Sequence, residues 1–433
     1  MKFSIYTLGC KVNQYETQAM EQILTEHGHQ EGRIDEICDA YIINTCTVTA
    51  VSDKKSRNMI RRLRRLNPAA VVAVCGCYAQ VDPEAVRALE ADVVSGTGGR
   101  LAFLHAVERA VAEKTSYFAV DDALRRRAFE VLPAGGMAVR TRAMLKVQDG
   151  CSNFCTYCII PYARGPVRSL PLEEAVAQAL DCARAGYREL VVTGIEISSW
   201  GRDLPGRPPL SQLVAALCEA VPDCRVRLGS LEPRTVDEAF CKELSGFSNL
   251  CPQFHLSLQS GSDTVLKRMN RRYDTARYLE SVRLLEQYFS GCAVTTDLIV
   301  AFPGETEAEF EESLQFLRRC RLAKVHVFPY SRRAGTKAAA MAGQWGNAVK
   351  EARSAAAQAV ARELEEDYQR RMVGRVYPVL LEETQGAYTV GHAPNYVRVY
   401  VPGDLPRNLV LPVRITGLHQ DGVVGAAAEA VPE

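Results

Sequence analysis

Apolar and polar positions along the first hundred residues switch period in a repeating order. A strand-like run from Phe3 to Leu8 leads into helical spacing from about Asn13 to Glu26, and Ala40 to Asn44 leads into a helix from about Thr49 to Leu66. Val71 to Val74 then precedes Asp82-Pro83-Glu84, an N-cap with proline at the first helical position. This βαβαβα order predicts a small parallel sheet. A helix near Ala102 to Ala112 follows, and the stretch up to Arg142, with Pro133-Ala134-Gly135-Gly136, reads as a connector. Arg125, Arg126 and Arg127 within it read as a solvated helix face.

The alternation then resumes with a longer rhythm. Strands are expected at Met144 to Gln148, Leu190 to Thr193, Val226 to Gly229, Phe254 to Leu258, Ala293 to Val300 and Lys324 to Phe328, with helices between them such as Leu172 to Ala185 and Glu307 to Arg319. Six such units predict a barrel-like parallel sheet shorter than the eight-unit barrel, with its chemistry on the loops after the strands. A long helix rich in Ala, Glu, Arg and Gln runs from Gly346 to Val373. Beyond it, short β-type runs at Tyr377 to Leu381, Tyr388 to His392, Tyr396 to Val401 and Leu411 to Gly417 predict a small all-β module. Ala426 to Glu433 has no pattern and reads as a tail. The division expected is therefore 1–115, a connector 116–140, a barrel 141–345, a linking helix 346–373 and a β module with its tail 374–433.

The candidate chemistry lies in cysteines placed against this pattern. Cys151, Cys155 and Cys158 form a C-x3-C-x2-C run directly after the first strand of the barrel. Thiolate softness selects iron-sulfur or zinc, and a structural zinc wants four closed ligands, whereas a four-iron cluster on three cysteines leaves one iron open. A zinc knuckle with a remote fourth ligand, or three buried thiols, is the competing reading. In the first domain Cys10, Cys46 and Cys77 each follow a strand, and strands of a parallel sheet end on one edge, so these three are expected to converge as a second three-cysteine site. Cys75, two residues before Cys77, points the other way and is assigned to the core, as is Cys38.

The later barrel strands end in polar groups. Glu196, Arg227, Glu232 and Gln259 are candidates to hold a zwitterionic amino acid and a ribose against an open iron, while Ser260, Asp297 and Glu305 read more readily as caps or turns. Two surfaces are candidates for nucleic acid. On the helix from Lys54 to Arg65, Arg57, Arg61 and Arg64 share one side, which fits phosphate contact as well as a solvated face. On the β module, Tyr396 and Arg398 alternate along one strand, which fits base stacking as well as a half-buried barrel wall.

Composition changes this picture little. With 433 residues, 47% hydrophobic and 24% charged, the chain exceeds a single core and reads as two to three domains. A net charge of +1 requires any nucleic-acid partner to be met by a local basic surface. Fifteen cysteines scattered over the chain do not resemble a disulfide framework and fit reduced thiols. Met1 to Tyr6 enters a strand at once, and no apolar run is long enough to span a bilayer; a cytoplasmic protein without a membrane partner is expected.

With these residues in hand, the chain resembles the methylthiotransferases of the radical S-adenosylmethionine (SAM) superfamily over nearly its whole length. The resemblance rests on the contexts of Cys10, Cys46 and Cys77 and on Gly150-Cys151-Ser152-Asn153-Phe154-Cys155-Thr156-Tyr157-Cys158. Leu8-Gly9-Cys10-Lys11-Val12-Asn13-Gln14 and Lys146-Val147-Gln148-Asp149-Gly150-Cys151 are most similar to the members acting on threonylcarbamoyladenosine in tRNA. It implies an α/β fold with a Rossmann-like N-terminal domain, a partial (β/α)6 radical SAM barrel and a C-terminal TRAM barrel for RNA. It further implies two 4Fe-4S clusters on the two cysteine trios, SAM as cofactor with Tyr157 near its adenine, and no catalytic residue beyond the cluster ligands. The implied reaction cleaves SAM to a 5′-deoxyadenosyl radical that takes hydrogen from C2 of the modified adenosine beside the anticodon. A second SAM methylates sulfur held at the other cluster. A low-potential electron donor such as flavodoxin or ferredoxin and a sulfur source are implied partners. Ala301 before Phe302-Pro303-Gly304 and the loosely matching Thr193 to Glu196 depart from the family pattern. The alternatives are the same chemistry on isopentenyladenosine tRNA or on a ribosomal protein and, from another class, a non-catalytic zinc and RNA-binding protein.

Overall fold

The computed structural model describes residues 1–134 and 141–428, so Gly135 and Gly136 of the connector and the end of the expected tail lie outside it. The N-terminal sheet has six parallel strands in the spatial order Gln30–Glu31, Lys2–Thr7, Ala40–Thr45, Val71–Gly76, Val93–Ser95 and Tyr117–Ala119. Three of these were not legible in the apolar pattern: Gln30–Glu31, Val93–Ser95 and Tyr117–Ala119 have only two or three residues each, too few to establish a period. Alternate residues face opposite cores. Ala40 and Ile42 pack with Tyr15, Met20 and Phe103, while Tyr41 and Ile43 pack with Ile60 and Leu63. Helices on both faces account for the burial of every position of Ala40–Thr45 and Val71–Gly76.

The register of this sheet positions the first cysteine trio. Thr7 pairs with Asn44 and Thr45 with Gly76, so three neighbouring strands stop at one level, and Cys10, Cys46 and Cys77 follow those ends. The strand order turns back between Lys2–Thr7 and Ala40–Thr45, a switch point where open α/β sheets leave a crevice. Cys75 is fully buried in one core, and Cys38 is buried in the other.

The barrel strands form two parallel arcs. Arg142–Lys146, Glu189–Thr193 and Arg225–Leu228 make one arc; Ser230–Leu231, Gln253–Leu256, Ala293–Val300 and Lys324–Pro329 make the other. Gly229 interrupts what the sequence presents as one strand, and the two halves pair with different neighbours. A Cβ on Gly229 would lie 3.0 Å from the Val192 carbonyl oxygen, so the closeness of the strands favours glycine there. Leu190, Val192, Val226, Leu228, Phe254, Leu256, Leu298 and Val300 pack outward against helices such as Leu172–Arg184 and Glu307–Cys320. The opposite face of the same strands carries Glu189, Arg227, His255, Asp297 and His326, and the last three line a bore.

The helix Asn347–Arg370 lies along Lys324–Pro329 and delivers the chain to a closed five-stranded barrel of Val376–Gln385, Tyr388–His392, Arg398–Pro402, Gly422–Ala427 and Val410–His419. The fifth strand corrects the sequence reading, which began the tail at Ala426. Its glycine and alanine content hides the alternation, and pairing with Val410–His419 supplies the order. A second correction concerns Tyr396. It precedes the strand, at φ +67°, and does not share a strand face with Arg398.

Candidate functional site

The loop of Cys151, Cys155 and Cys158 is fixed by backbone bonds to distant segments. Cys151 N–H donates to the Gly165 carbonyl at 3.0 Å, Thr156 N–H to Met269 at 3.0 Å, and Ala338 N–H to Thr156 at 2.8 Å. Gly150, at φ +75°, enters this loop where a Cβ would stand 1.9 Å from the Pro166 carbonyl oxygen. Asn270 caps the carbonyl of Phe154 at 3.1 Å, and the Arg271 guanidinium donates to Cys155 Sγ at 3.2 Å. The three cysteines line a cavity of about 150 Å³ with Tyr157, Glu196, Glu232 and Arg271. Tyr157 stands edge-on to Phe302 at 6.5 Å. Glu196 accepts from Ser198 N–H at 3.1 Å and from the Ser199 hydroxyl, and Glu232 accepts from Arg234 Nε at 2.8 Å. Thiols beside two carboxylates and a guanidinium fit a cluster and a zwitterionic ligand in both charge and donor type.

The strand-end trio is assembled around Asn13. Its Nδ2 donates to the carbonyls of Leu8 at 2.6 Å and Thr45 at 3.0 Å, joining the strand ends that lead to Cys10 and Cys46. Gly9 has φ +107°, and a Cβ there would lie 2.8 Å from Cys46 Cβ and 2.9 Å from its Sγ. Burial pushes the thiols of Cys77, Cys151 and Cys158 up to about 12, and Cys77 feels both Cys10 and Cys46. Ligation would therefore release protons from both trios. Among the described residues no three His, Cys, Asp or Glu side chains are gathered tightly enough for a single metal ion.

A buried ionic network joins the two trios. Glu16 accepts from Arg100 at 2.8 Å, Arg164 at 2.5 Å and Lys146 at 3.2 Å; Asp149 pairs with Lys146 at 2.7 Å and Arg164 at 3.4 Å. Arg164 also donates to Asn13 Oδ1 at 2.6 Å. Burial opposes ionisation of Glu16, yet Arg100, Arg164 and Lys146 hold its carboxyl well below the usual range. Asp149 lies two residues before Cys151, and Asn13 three after Cys10, so Arg164 braces both cysteine sites through one guanidinium. A second tie runs from Arg333, after the last barrel strand, to Asp53 at 2.6 Å, and Thr47 beside Cys46 also donates to Asp53.

Beside the small cavity lies the bore, about 890 Å³, lined by Cys10 and Lys11, by His255, Asp297 and His326 from the barrel, and by Tyr396 and Arg398 from the C-terminal barrel. Ile160, Ile195 and Ser230 line both cavities, so the two adjoin.

Several candidate residues fall elsewhere. Arg227 is buried in a two-pronged pair with Glu189 at 2.7 and 2.9 Å and lies over the Tyr396 ring at 4.5 Å. It binds the C-terminal barrel to the base of the bore and does not line the cysteine cavity. Gln259 lines neither cavity; at φ +70° its N–H and C=O bridge to Asp297 and Ile299. Arg64 is spent on carbonyls of Ala70 and Glu90 and on Asp92, and Arg57 lies over Tyr78, leaving Arg61 as the exposed member of that trio. The exposed cations of that helix are instead Lys54, Lys55, Arg61, Arg62 and Arg65. Arg398 is held by Asp421 and Glu383, both at 3.0 Å.

Sequence reasoning missed Arg164, Arg271, Lys11, His255 and His326. The signal available for the histidines was the period of two on parallel strands, where polar residues on the inner face mark a bore. Asp297, read as a cap, faces that bore and pairs with His255 at 3.3 Å. Ser260 and Glu305 are structural as expected: Ser260 Oγ accepts from Ser262 N–H at 3.2 Å, and Glu305 accepts from Ala301 N–H and Arg353.

Comparison with known proteins decides the family. Residues 145–317 match the Radical SAM superfamily, and residues 2–96 match Uncharacterized protein family UPF0004. The chain is 39% identical, over 92% of its length and 90% of the relative's, to the Threonylcarbamoyladenosine tRNA methylthiotransferase MtaB of Bacillus subtilis (strain 168). The chain belongs to the radical SAM methylthiotransferase family. Another relative, 34% identical over 98% of this chain and 97% of its own, carries the same name in Chlamydia pneumoniae. A tRNA-2-methylthio-N(6)-dimethylallyladenosine synthase of Maricaulis maris (strain MCS10) is 33% identical over 92% of this chain and 91% of its own. Among solved structures, the radical SAM methyltransferase TsrM of Kitasatospora setae shares the fold, with TM-score 0.57 and 16% identity over 78% of this chain and 77% of that one. Membership implies a 4Fe-4S cluster and SAM for this methylthiotransferase, and the Cys151, Cys155 and Cys158 cavity has the thiols for the one and the polar groups for the other. It also sets aside the non-catalytic zinc reading. No helix among the described residues is long and apolar enough to cross a membrane.

Proposed function

We propose that the chain inserts a methylthio group at C2 of N6-threonylcarbamoyladenosine beside the anticodon of tRNA in the cytoplasm. In this reading Cys10, Cys46 and Cys77 hold a second 4Fe-4S cluster, and SAM is both methyl donor and radical source. The observation that carries it is the adjoining pair of cavities. Cys10 opens onto a bore large enough for a modified nucleoside, and that bore shares Ile160, Ile195 and Ser230 with the cavity of the loop cysteines. When bound, the loop cluster and SAM supply a radical able to take hydrogen from an otherwise inert carbon.

The residues of the chain position the partners. Cys151, Cys155 and Cys158 ligate the first cluster, Glu196 and Glu232 face the amino acid end of SAM, and Tyr157 lies against its adenine. Cys10 of the strand-end trio lines the bore and the loop trio lines the adjoining cavity, so a base seated where the two meet would reach both. The C-terminal barrel, through Tyr396 and Arg398, and the exposed arginine and lysine face around Arg61 meet the RNA. A low-potential electron donor such as flavodoxin or ferredoxin and a sulfur source complete the cycle. His255, Asp297 and His326 give the otherwise mainly apolar bore groups able to hydrogen-bond a threonylcarbamoyl substituent.

The test is nucleoside profiling of tRNA digested from a deletion strain and from that strain complemented with this chain. Restoration of 2-methylthio-N6-threonylcarbamoyladenosine is expected. Restoration of the methylthio group on isopentenyladenosine alone would overturn the assignment.

A further inference from the structure

Among the described charges lining the bore, Lys11 stands apart; His326 also has no ion-pair partner, but burial pushes its imidazole toward the neutral form. Lys324 meets Glu365 at 2.8 Å, Arg398 meets Asp421 at 3.0 Å, His255 meets Asp297 at 3.3 Å, and His392 meets Glu382. Lys11 has no hydrogen-bond or ion-pair partner among the described residues, although it lines the same cavity and is half-buried. The nearest charges compensate it only in part: Glu189 favours it, and Arg227 and Arg142 oppose it more strongly. Arg142 and Arg227 add positive potential, and the carboxylates around them, Glu382 and Glu189, are already engaged by those arginines. The helix that Lys11 opens, Lys11–Glu26, has no acidic residue in its first turn. A half-buried cation with no direct ion-pair partner is open to pair with an anion that enters the bore.

The position of Lys11 identifies the anion. It follows Cys10, one of the thiols placed to deliver sulfur, and opens onto the bore beside it. In adenine, C2 and the carbon bearing N6 flank the same ring nitrogen, so a site that delivers sulfur to C2 lies beside whatever hangs from N6. The ribose and its phosphates leave from the opposite side of the purine. Of the anions on the RNA, the one placed to reach Lys11 is accordingly carried by the N6 substituent.

We infer that Lys11 is the specificity residue of the bore, pairing with the free carboxylate of an amino-acid-derived N6 substituent. The inference rests on the threonylcarbamoyl reading given above and adds the atom that distinguishes this substituent from a neutral one.

The test measures binding of anticodon stem-loop RNAs to the reconstituted full chain by fluorescence anisotropy. Three RNAs carry, at the target adenosine, the threonylcarbamoyl group with its free carboxylate, the same group as a neutral primary amide, or no substituent. Wild type is expected to bind the carboxylate RNA about tenfold more tightly than the amide, the scale of one charge-assisted contact. Lys11→Met should bind both as wild type binds the amide, and Lys11→Arg should restore most of the preference. Iron content equal to wild type shows that the neighbouring cysteine site is intact. The carboxylate and amide RNAs compared on wild type alone keep the test decisive even if a variant folds poorly.

Equal affinity of wild type for those two RNAs would overturn the inference. So would a Lys11→Met variant that keeps the preference, or one that weakens all three RNAs alike, which marks a phosphate contact. Each of these can occur in an enzyme that methylthiolates the carboxylate RNA normally. Failure of the threonylcarbamoyl reading itself shows instead as wild type leaving that RNA unmodified while modifying the isopentenyl one.

Discussion

The two sets of three cysteines are held by opposite means. The loop trio lies within eight consecutive residues, and its environment is imported: Met269, Asn270, Arg271 and Ala338 arrive from elsewhere to fix it. The strand-end trio is spread from Cys10 to Cys77, and its fixing groups are native to its own sheet: aligned strand ends, Asn13 as a clasp, and Gly9 making room for Cys46. One site has local ligands with a long-range frame, and the other has long-range ligands with a local frame. Arg164 is where the frames meet. The comparison teaches that either cysteine set can be lost while the other survives, whereas Arg164 cannot be lost from one alone.

The largest expected effect breaks the symmetry between the trios. Cys158→Ala should abolish SAM cleavage and methylthio product together, because the loop cluster supplies the radical; product analysis for 5′-deoxyadenosine checks it. The combined change of Cys10, Cys46 and Cys77 to alanine should lower iron from roughly eight to four per chain and remove the methylthio product while 5′-deoxyadenosine still forms. About four irons in both proteins would mean that the strand-end cysteines are core residues.

Arg164→Met removes the shared brace and leaves Glu16 and Asn13 short of a partner. Loss of one member of a buried pair costs about 3–5 kcal/mol, and reduced iron at both sites is expected along with a lower midpoint in urea. Iron lost at only one site would show that the network is not shared. Gly9→Ala places a Cβ against Cys46 at a positive φ, a strain of about 1–3 kcal/mol, and should lower iron at the strand-end site while SAM cleavage is retained.

The smallest effect concerns the frame of the loop trio. Glu309 pairs with Arg268 at 2.8 Å, and Arg268 belongs to the helix that carries Met269 to Arg271 up to the cysteines. Hydrogen bonding from Arg268 holds the Glu309 carboxyl down, from 4.5 to about 2. A depressed folded-state value gives stability that is present above the unfolded value of 4.5 and is lost as pH falls toward 2. Solvent screening limits it to about 1 kcal/mol. Glu309→Gln should cost that much at pH 7 and converge with wild type in acid, measured by urea unfolding at a series of pH values. A cost independent of pH would assign the effect to helix capping by Thr306 and Glu309 instead.

What was legible in the sequence follows from short range. The C-x3-C-x2-C loop, the β/α alternation, the helix start near Thr49, the N-cap at Asp82, and the buried fate of Cys75 all depend on neighbours along the chain, where period and turn chemistry act directly. Even the convergence of Cys10, Cys46 and Cys77 on one edge follows from period and parallel topology. Which polar groups stay free for function was decided by tertiary structure. Arg227 and Arg64 looked available and are consumed by Glu189 and Asp92; Lys11, read only as part of the segment around Cys10, is left without a direct ion-pair partner. A side chain's period fixes the side of a strand or helix it occupies, but its freedom depends on whether an opposite charge from a distant segment reaches it first, and no local pattern encodes that.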